Sequence, residues 1–292
     1  MSQTPLSHCS GSFEFQVREI AYAKPDGEML RALIYRPLRE GPFPAVVCVH
    51  GGAWVTGDRF ATQWFAERIA RTGIAVMAID TRLSPRYPYP AAVADVNCAI
   101  RWLKWHAGEY GVDKKRIGGL GISSGGCLVL LSAMRFDDPR YKTEQPLDLP
   151  AESEVDAAMA FVVTCSGVLD PLARYRMAQD TRNMAVLLCH RAFFINETVM
   201  EEASPAAILS RREKVNLPPA LFLQGKNDPR LPAGTAPEMA AAWKRAGGQA
   251  EAVIYPEAGH SVSTWHKKEL MDALFRIAAL ATGEDSQRPL RQ

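Results

Sequence analysis

The stretch Gly121-Ile122-Ser123-Ser124-Gly125 sets a serine with glycines two positions before and after it. It joins an apolar run, Arg116 to Ile122, that reads as a buried strand to a run, Gly125 to Met134, that reads as a helix. A serine on so sharp a strand-to-helix turn is held in a strained backbone that presents its hydroxyl, and only glycine leaves room at the flanking positions. That is the arrangement of a nucleophile. Ser123 is the candidate because the glycines flank it symmetrically, while Ser124 is placed to lend its backbone N–H.

A serine hydroxyl at neutral pH needs a base, and the base needs a carboxylate to orient it. Of the six histidines, His260 stands in "YPEAGHSV", just past the apolar run Ala250 to Pro256, in a glycine-containing loop. His8 lies in the polar N-terminus, and His106, His190 and His266 fall in helical segments as surface or packing residues. Asp228, in "LFLQGKNDPRLP", follows the run Pro219 to Gly225 in the same manner, and Glu257 is the weaker alternative acid, only three residues from His260. Asn-Asp-Pro is also ordinary turn chemistry. The order nucleophile, acid, base along the chain favours Asp228 as the acid.

Acyl transfer also requires donors aimed at the developing oxyanion. After the apolar run Ala45 to Val49 come His50, Gly51 and Gly52, where missing side chains let backbone N–H groups approach a substrate. Gly51, Gly52 and Ser124 are the candidate donors.

These residues need a scaffold. "FEFQVREIAY" and "MLRALIYRP" around Pro25-Asp26-Gly27 predict an antiparallel hairpin. Then come short apolar runs without clean alternation, at Pro44 to His50, Gly73 to Asp80, Arg116 to Ser123, Ala157 to Gly167, Pro219 to Gly225 and Ala250 to Pro256. Strands buried on both faces have this character. Between them, helical periodicity appears at Ala91 to Tyr110, Gly125 to Met134, Ala236 to Ala246 and Thr264 to Ala281. The alternation predicts an α/β domain with a mostly parallel central sheet, helices on both faces and the hairpin at one edge, its reactive groups at the carboxyl ends of the strands. The long connection from 169 to 217 predicts a mainly helical cap inserted into that single domain, with an extra packing layer as the alternative. Asp80 and Arg82, after the run Gly73 to Asp80, read as a loop braced by an internal ion pair, and the tail "TGEDSQRPLRQ" reads as frayed.

Composition excludes several classes. Thirty-four basic against 32 acidic side chains leave a net charge of +2 with no run of like charge, so neither a nucleic-acid groove nor a polybasic membrane patch is marked. The six cysteines are scattered and most sit in apolar runs, which suggests reduced thiols. The first residues lack the pattern of a signal peptide, and no apolar run reaches the roughly 18 residues of a membrane helix. The expectation is a cytoplasmic protein acting on a small molecule, with no stable membrane association and no nucleic-acid partner.

Together, "HGGAW", "DTRLSPRYPYPAAVADV", "RIGGLGISSGG", "GKNDPRLP" and "EAGHS" resemble the carboxylesterases of the α/β-hydrolase fold, in particular the hormone-sensitive-lipase-like and acetyl/feruloyl-esterase-like (BD-FAE-like) branches, from about Ala21 to Ala281. The resemblance implies serine ester hydrolysis without cofactor or metal, with Ser123, Asp228 and His260 as triad and Gly51, Gly52 and Ser124 as oxyanion hole. The chain departs from it at Ala53, where the lipase-like pattern has a third glycine, and at Ser124, where alanine is usual. H-G-G-x-W also looks like the arylformamidases, so an amidase or formamidase using the same residues is an alternative. A hydrolase fold kept as a ligand-binding protein is another, disfavoured by an intact triad. Trp54, Met177, Phe193, Phe194 and Trp265 are candidates to line an apolar pocket for small to medium apolar or aryl esters, against the plainer reading of aromatic core.

Overall fold

The structure is a computed structural model that describes residues 13–283. His8, Cys9 and the polar tail beyond Gly283 lie outside the described residues. Eight strands form one sheet: β1 (Phe15–Ala23), β2 (Leu30–Pro37), β3 (Phe43–Val49), β4 (Ala75–Ile79), β5 (Val112–Ile122), β6 (Val162–Cys165), β7 (Ala220–Gly225) and β8 (Ala250–Tyr255). Their spatial order is β1-β2-β4-β3-β5-β6-β7-β8. The hairpin is as expected, with Val17 opposite Tyr35 across the Pro25–Gly27 turn, and β2 joins β4 antiparallel. From β4 to β8 every neighbouring pair is parallel.

All seven residues of β3 and all five of β4 are buried, which is why their sequences run apolar without alternation. One face is covered by α2 (Ala91–Trp105), α4 (Ser124–Met134) and α9 (Thr235–Arg245), whose Val93, Leu128 and Trp243 belong to a single core. The other is covered by α1 (Gln63–Arg71) and α10 (Lys267–Thr282), through Phe65, Ile69, Leu270 and Ile277. Helix α1 is absent from the sequence expectations. The expected helix Ala91 to Tyr110 ends at Trp105, where the His106 ring stacks on Trp102 at 4.0 Å, and a short α3 (Ala107–Tyr110) follows. Strand β6 is shorter than expected. Before it, Phe161 and Met159 turn into the sheet, where a Cβ on Gly118 or Gly119 would lie 2.5 Å or 2.7 Å from them. The Gly118-Gly119 pair in β5 is therefore a packing device as well as a prelude to the serine turn.

Between β6 and β7 stand four helices, α5 (Pro171–Asp180), α6 (Met184–Phe194), α7 (Glu197–Glu202) and α8 (Pro205–Ser210), each with an Asp, Asn or Ser side chain accepting a backbone N–H of its first turn. Cys48, Cys98, Cys127 and Cys165 are buried free thiols and Cys189 is half-buried and free. Among the described residues no helix is long and apolar enough to cross a membrane.

Candidate active site

The serine turn has the strain its sequence implied. Ser123 sits at φ 53°, ψ −120°, in left-handed backbone that a residue with a Cβ rarely adopts. What holds it there is close packing on both sides. A Cβ on Gly121 would come 2.3 Å from the Gly125 carbonyl oxygen, and one on Gly125 would come 2.4 Å from the Val49 carbonyl oxygen, so neither position admits a side chain. The Ser123 N–H donates to the Cys165 carbonyl at 3.0 Å and the Ser123 carbonyl accepts from Val168 N–H at 2.9 Å, which ties the turn to the end of β6.

Three distant residues meet there. His260 Nε2 lies 2.9 Å from Ser123 Oγ, and His260 Nδ1 lies 2.8 Å from Asp228 Oδ2. The carboxylate accepts only, so the proton sits on Nδ1 and the Nε2 lone pair faces the hydroxyl, which donates to it. The Asp228 carboxylate is wholly buried and the His260 side chain is 11% exposed. Oδ1 of Asp228 accepts the Arg230 N–H at 2.8 Å, so neither carboxylate oxygen is left unpaired. The alternative acid Glu257 points away, lying 3.6 Å from His266 on an exposed surface.

Beside the serine, the loop after β3 passes so close that a Cβ on Gly51 would be 3.1 Å from Ser123 Cβ. Gly52, Ala53 and Trp54 follow in succession at φ 112°, 52° and 65°, and the Gly52 carbonyl turns back to accept from Val55 and Thr56. Among the described residues the N–H groups of Gly51, Gly52 and Ser124 donate no hydrogen bond. The His50 ring bonds the Gly51 carbonyl at 2.6 Å; burial, opposed by that bond, lowers its pKa.

The five pocket candidates separate. Trp54 is stacked on Phe193 at 5.1 Å and meets Phe194 and His190 edge-on at 4.9 and 5.0 Å, all in fully packed surroundings. Met177 is half-buried on α5. Trp265 lies elsewhere: it packs with Tyr255 and the α10 side of the core, and its indole N–H donates to the Gly259 carbonyl at 3.0 Å. Tyr255, Ala258, Val262 and Trp265 share one core and Trp54 belongs to the other, so Trp265 supports the His260 loop instead of joining Trp54. A cleft of about 860 Å³ between α5, α8 and α9 is lined by none of Ser123, Asp228 and His260.

The BD-FAE family profile matches residues 33–242. This chain belongs to the BD-FAE family. Esterase LipC of Mycobacterium tuberculosis is 30% identical over 219 residues, 74% of this chain and 52% of LipC. The hyperthermophilic esterase of the archaeon Pyrobaculum calidifontis superposes with a TM-score of 0.74 at 26% identity, over 94% of this chain and 85% of that one. The propionate-bound thermophilic esterase Est2 of Thermogutta terrifontis superposes with a TM-score of 0.69 at 26% identity, over 96% and 97%. The fold is that of the α/β-hydrolases. The chain spans about half the length of the curated relatives it matches.

In this BD-FAE chain the supporting contacts differ from the sequence reading or were unmarked in it. Asp80 and Arg82 do not pair with each other: Asp80 takes Arg59 at 2.8 Å, and Arg82 takes Asp95 and Glu144, each at 2.8 Å. Glu269 bonds the Glu257 and His266 N–H groups, clamping both ends of the His260 loop. His266, three residues before Glu269, carries the spacing of a helix capping box, the one local signal that could have found it. Arg174 on α5 donates through Nε to the Arg230 carbonyl at 3.0 Å, two residues beyond Asp228, and no sequence signal marks it.

Proposed function

We propose that this chain is a serine carboxylic-ester hydrolase whose catalytic residues are Ser123, His260 and Asp228, with Gly51, Gly52 and Ser124 forming the oxyanion hole. The observation that carries the reading is the unbroken bond series from the Asp228 carboxylate through His260 to a strained serine hydroxyl, beside backbone N–H groups without acceptors. Ser123 Oγ attacks the ester carbonyl as His260 Nε2 takes its proton, and the N–H groups stabilise the oxyanion, each worth about 2.7–4 kcal/mol in the transition state. The protonated imidazole gives the proton to the leaving alcohol. Water then enters, loses a proton to His260 and cleaves the acyl-enzyme, while Asp228 holds the productive tautomer throughout.

The substrates proposed are small to medium apolar or aryl esters. Membership of the BD-FAE family and the likeness to Est2, which was solved with propionate, support a short acyl group. Helices α5 to α8 act as a cap within a single domain; their contacts with Trp54 and with the Asp228 loop support that role. A series of p-nitrophenyl esters from acetate to decanoate tests the reading. Turnover that peaks at short chains and vanishes in S123A is expected. Activity in S123A above a tenth of the parent's, or none in the parent, would refute it.

A further inference from the structure

Arg174 is the least accounted-for charge near the candidate site. It is 4% exposed, its Nη1 has no hydrogen-bond partner among the described residues, and no carboxylate there lies within ion-pair distance of it. Among the described residues its one side-chain hydrogen bond is the Nε contact to the Arg230 carbonyl, and the Arg230 N–H holds Asp228 Oδ1. The groups around it are Cys189 and His190 on α6 and Asp228 and Arg230 on the acid loop; Arg191 is turned to the Tyr175 hydroxyl. Burial pushes Arg174 down to about 10, with Cys189 and Asp228 opposing and Arg230 adding to the effect. Burial, and then Arg174 itself, push His190 down to about 4, so that ring is neutral near pH 7. Asp228 is the carboxylate whose charge acts on this buried cation.

We propose that Arg174 is a positioning residue of the triad: its Nε bond fixes the loop carrying Asp228, and its uncompensated charge biases the Asp228–His260 pair towards the neutral imidazole that accepts the serine proton. A buried charge acts at longer range than an exposed one because little water screens it. Removing it lets His260 hold a proton more readily, so the acid limb of the activity profile moves to higher pH. A merely structural arginine would lower the rate and leave the limb in place.

The inference rests on the hydrolase reading, and its test separates the two. The parent, R174M and R174K are compared by kcat/KM for p-nitrophenyl butyrate from pH 5 to 9, and by NMR titration of the His260 ring, its signal assigned by loss in H260Q. R174M is expected to lose about tenfold in kcat/KM at neutral pH and to shift both the limb and the ring titration upward by roughly 0.5 unit or more. R174K keeps the charge without the fork, so its limb should stay within about 0.2 unit of the parent's despite a slower rate. An unmoved His260 titration in R174M, or an equal shift in R174K, overturns the proposal. If the parent hydrolyses no ester, the hydrolase reading fails alone and the NMR titration still decides. If R174M does not fold, R174Q carries the same expectations.

Discussion

Two charge clusters lie past the carboxyl ends of strands in this protein, and they differ in how completely they are saturated. Past β4, Arg82 is enclosed by Asp95, which accepts from its backbone N–H at 2.7 Å and its Nε at 2.9 Å, by Glu144 at 2.8 Å and by the Ala91 carbonyl at 3.1 Å. Burial opposes its charge, but Asp95 and Glu144 outweigh burial and hold the guanidinium above its ordinary range. Past β5, β7 and β8, the bonds run one way, from carboxylate to imidazole to a serine hydroxyl, and end beside N–H groups with nothing to bond. A closed cluster braces a loop. An open-ended one leaves capacity that a reacting carbonyl can use.

Substitutions that separate the two clusters should sharpen that contrast. The largest effect is expected in S123A, a loss of about 10⁴-fold or more in kcat with the unfolding midpoint unchanged; a drop in stability with residual activity would place Ser123 with the braces. D228N should cost about 10⁴-fold in kcat by favouring the wrong imidazole tautomer. A smaller loss than in H260Q fits, and no loss would break the comparison. R82M should act in the reverse sense, lowering stability by about 3–5 kcal/mol in denaturant titrations because it strands buried Asp95, with kcat of the remaining folded protein little changed. A large fall in kcat without a loss of stability would show that the Arg82 cluster also serves catalysis.

The smallest effect concerns pH. His190 is lowered from 6.5 to about 4 by burial and then by Arg174. Between those values the unfolded chain binds more protons than the folded one, so stability present above pH 6.5 is lost as pH falls towards 4. His50, also lowered by burial, adds in the same direction. H190F should flatten this acid-side loss, measured as the difference in denaturant midpoint between pH 7 and pH 5. An equal loss in parent and variant would exclude His190 as a contributor.

The parts of this architecture that could be read in the sequence are those set by local sterics. Gly121 and Gly125 announce the serine turn because only they fit between the Gly125 carbonyl and the carbonyl of Val49, and the unbroken apolar runs announce strands covered on both faces. What stayed hidden depends on partners brought from far along the chain. Arg82 could not be matched to Asp95 and Glu144 before α2 and the segment beyond α4 were in place, nor Arg174 to the Arg230 carbonyl before the long insertion had folded back on the acid loop. The packing of Trp265 with Tyr255 and α10 was likewise hidden, because its nearness to His260 in sequence says nothing of which core it joins. Helix α1 was missed between the two glycine-rich segments around it.

The central claim is that Ser123 alone among the serines is made nucleophilic by its bond to His260. Its most direct test is mass spectrometry of the intact folded protein after reaction with a fluorophosphonate. One adduct is expected, located on Ser123 and absent from H260Q treated in the same way. An unlabelled protein, or an adduct on Ser124 with Ser123 untouched, would contradict the account.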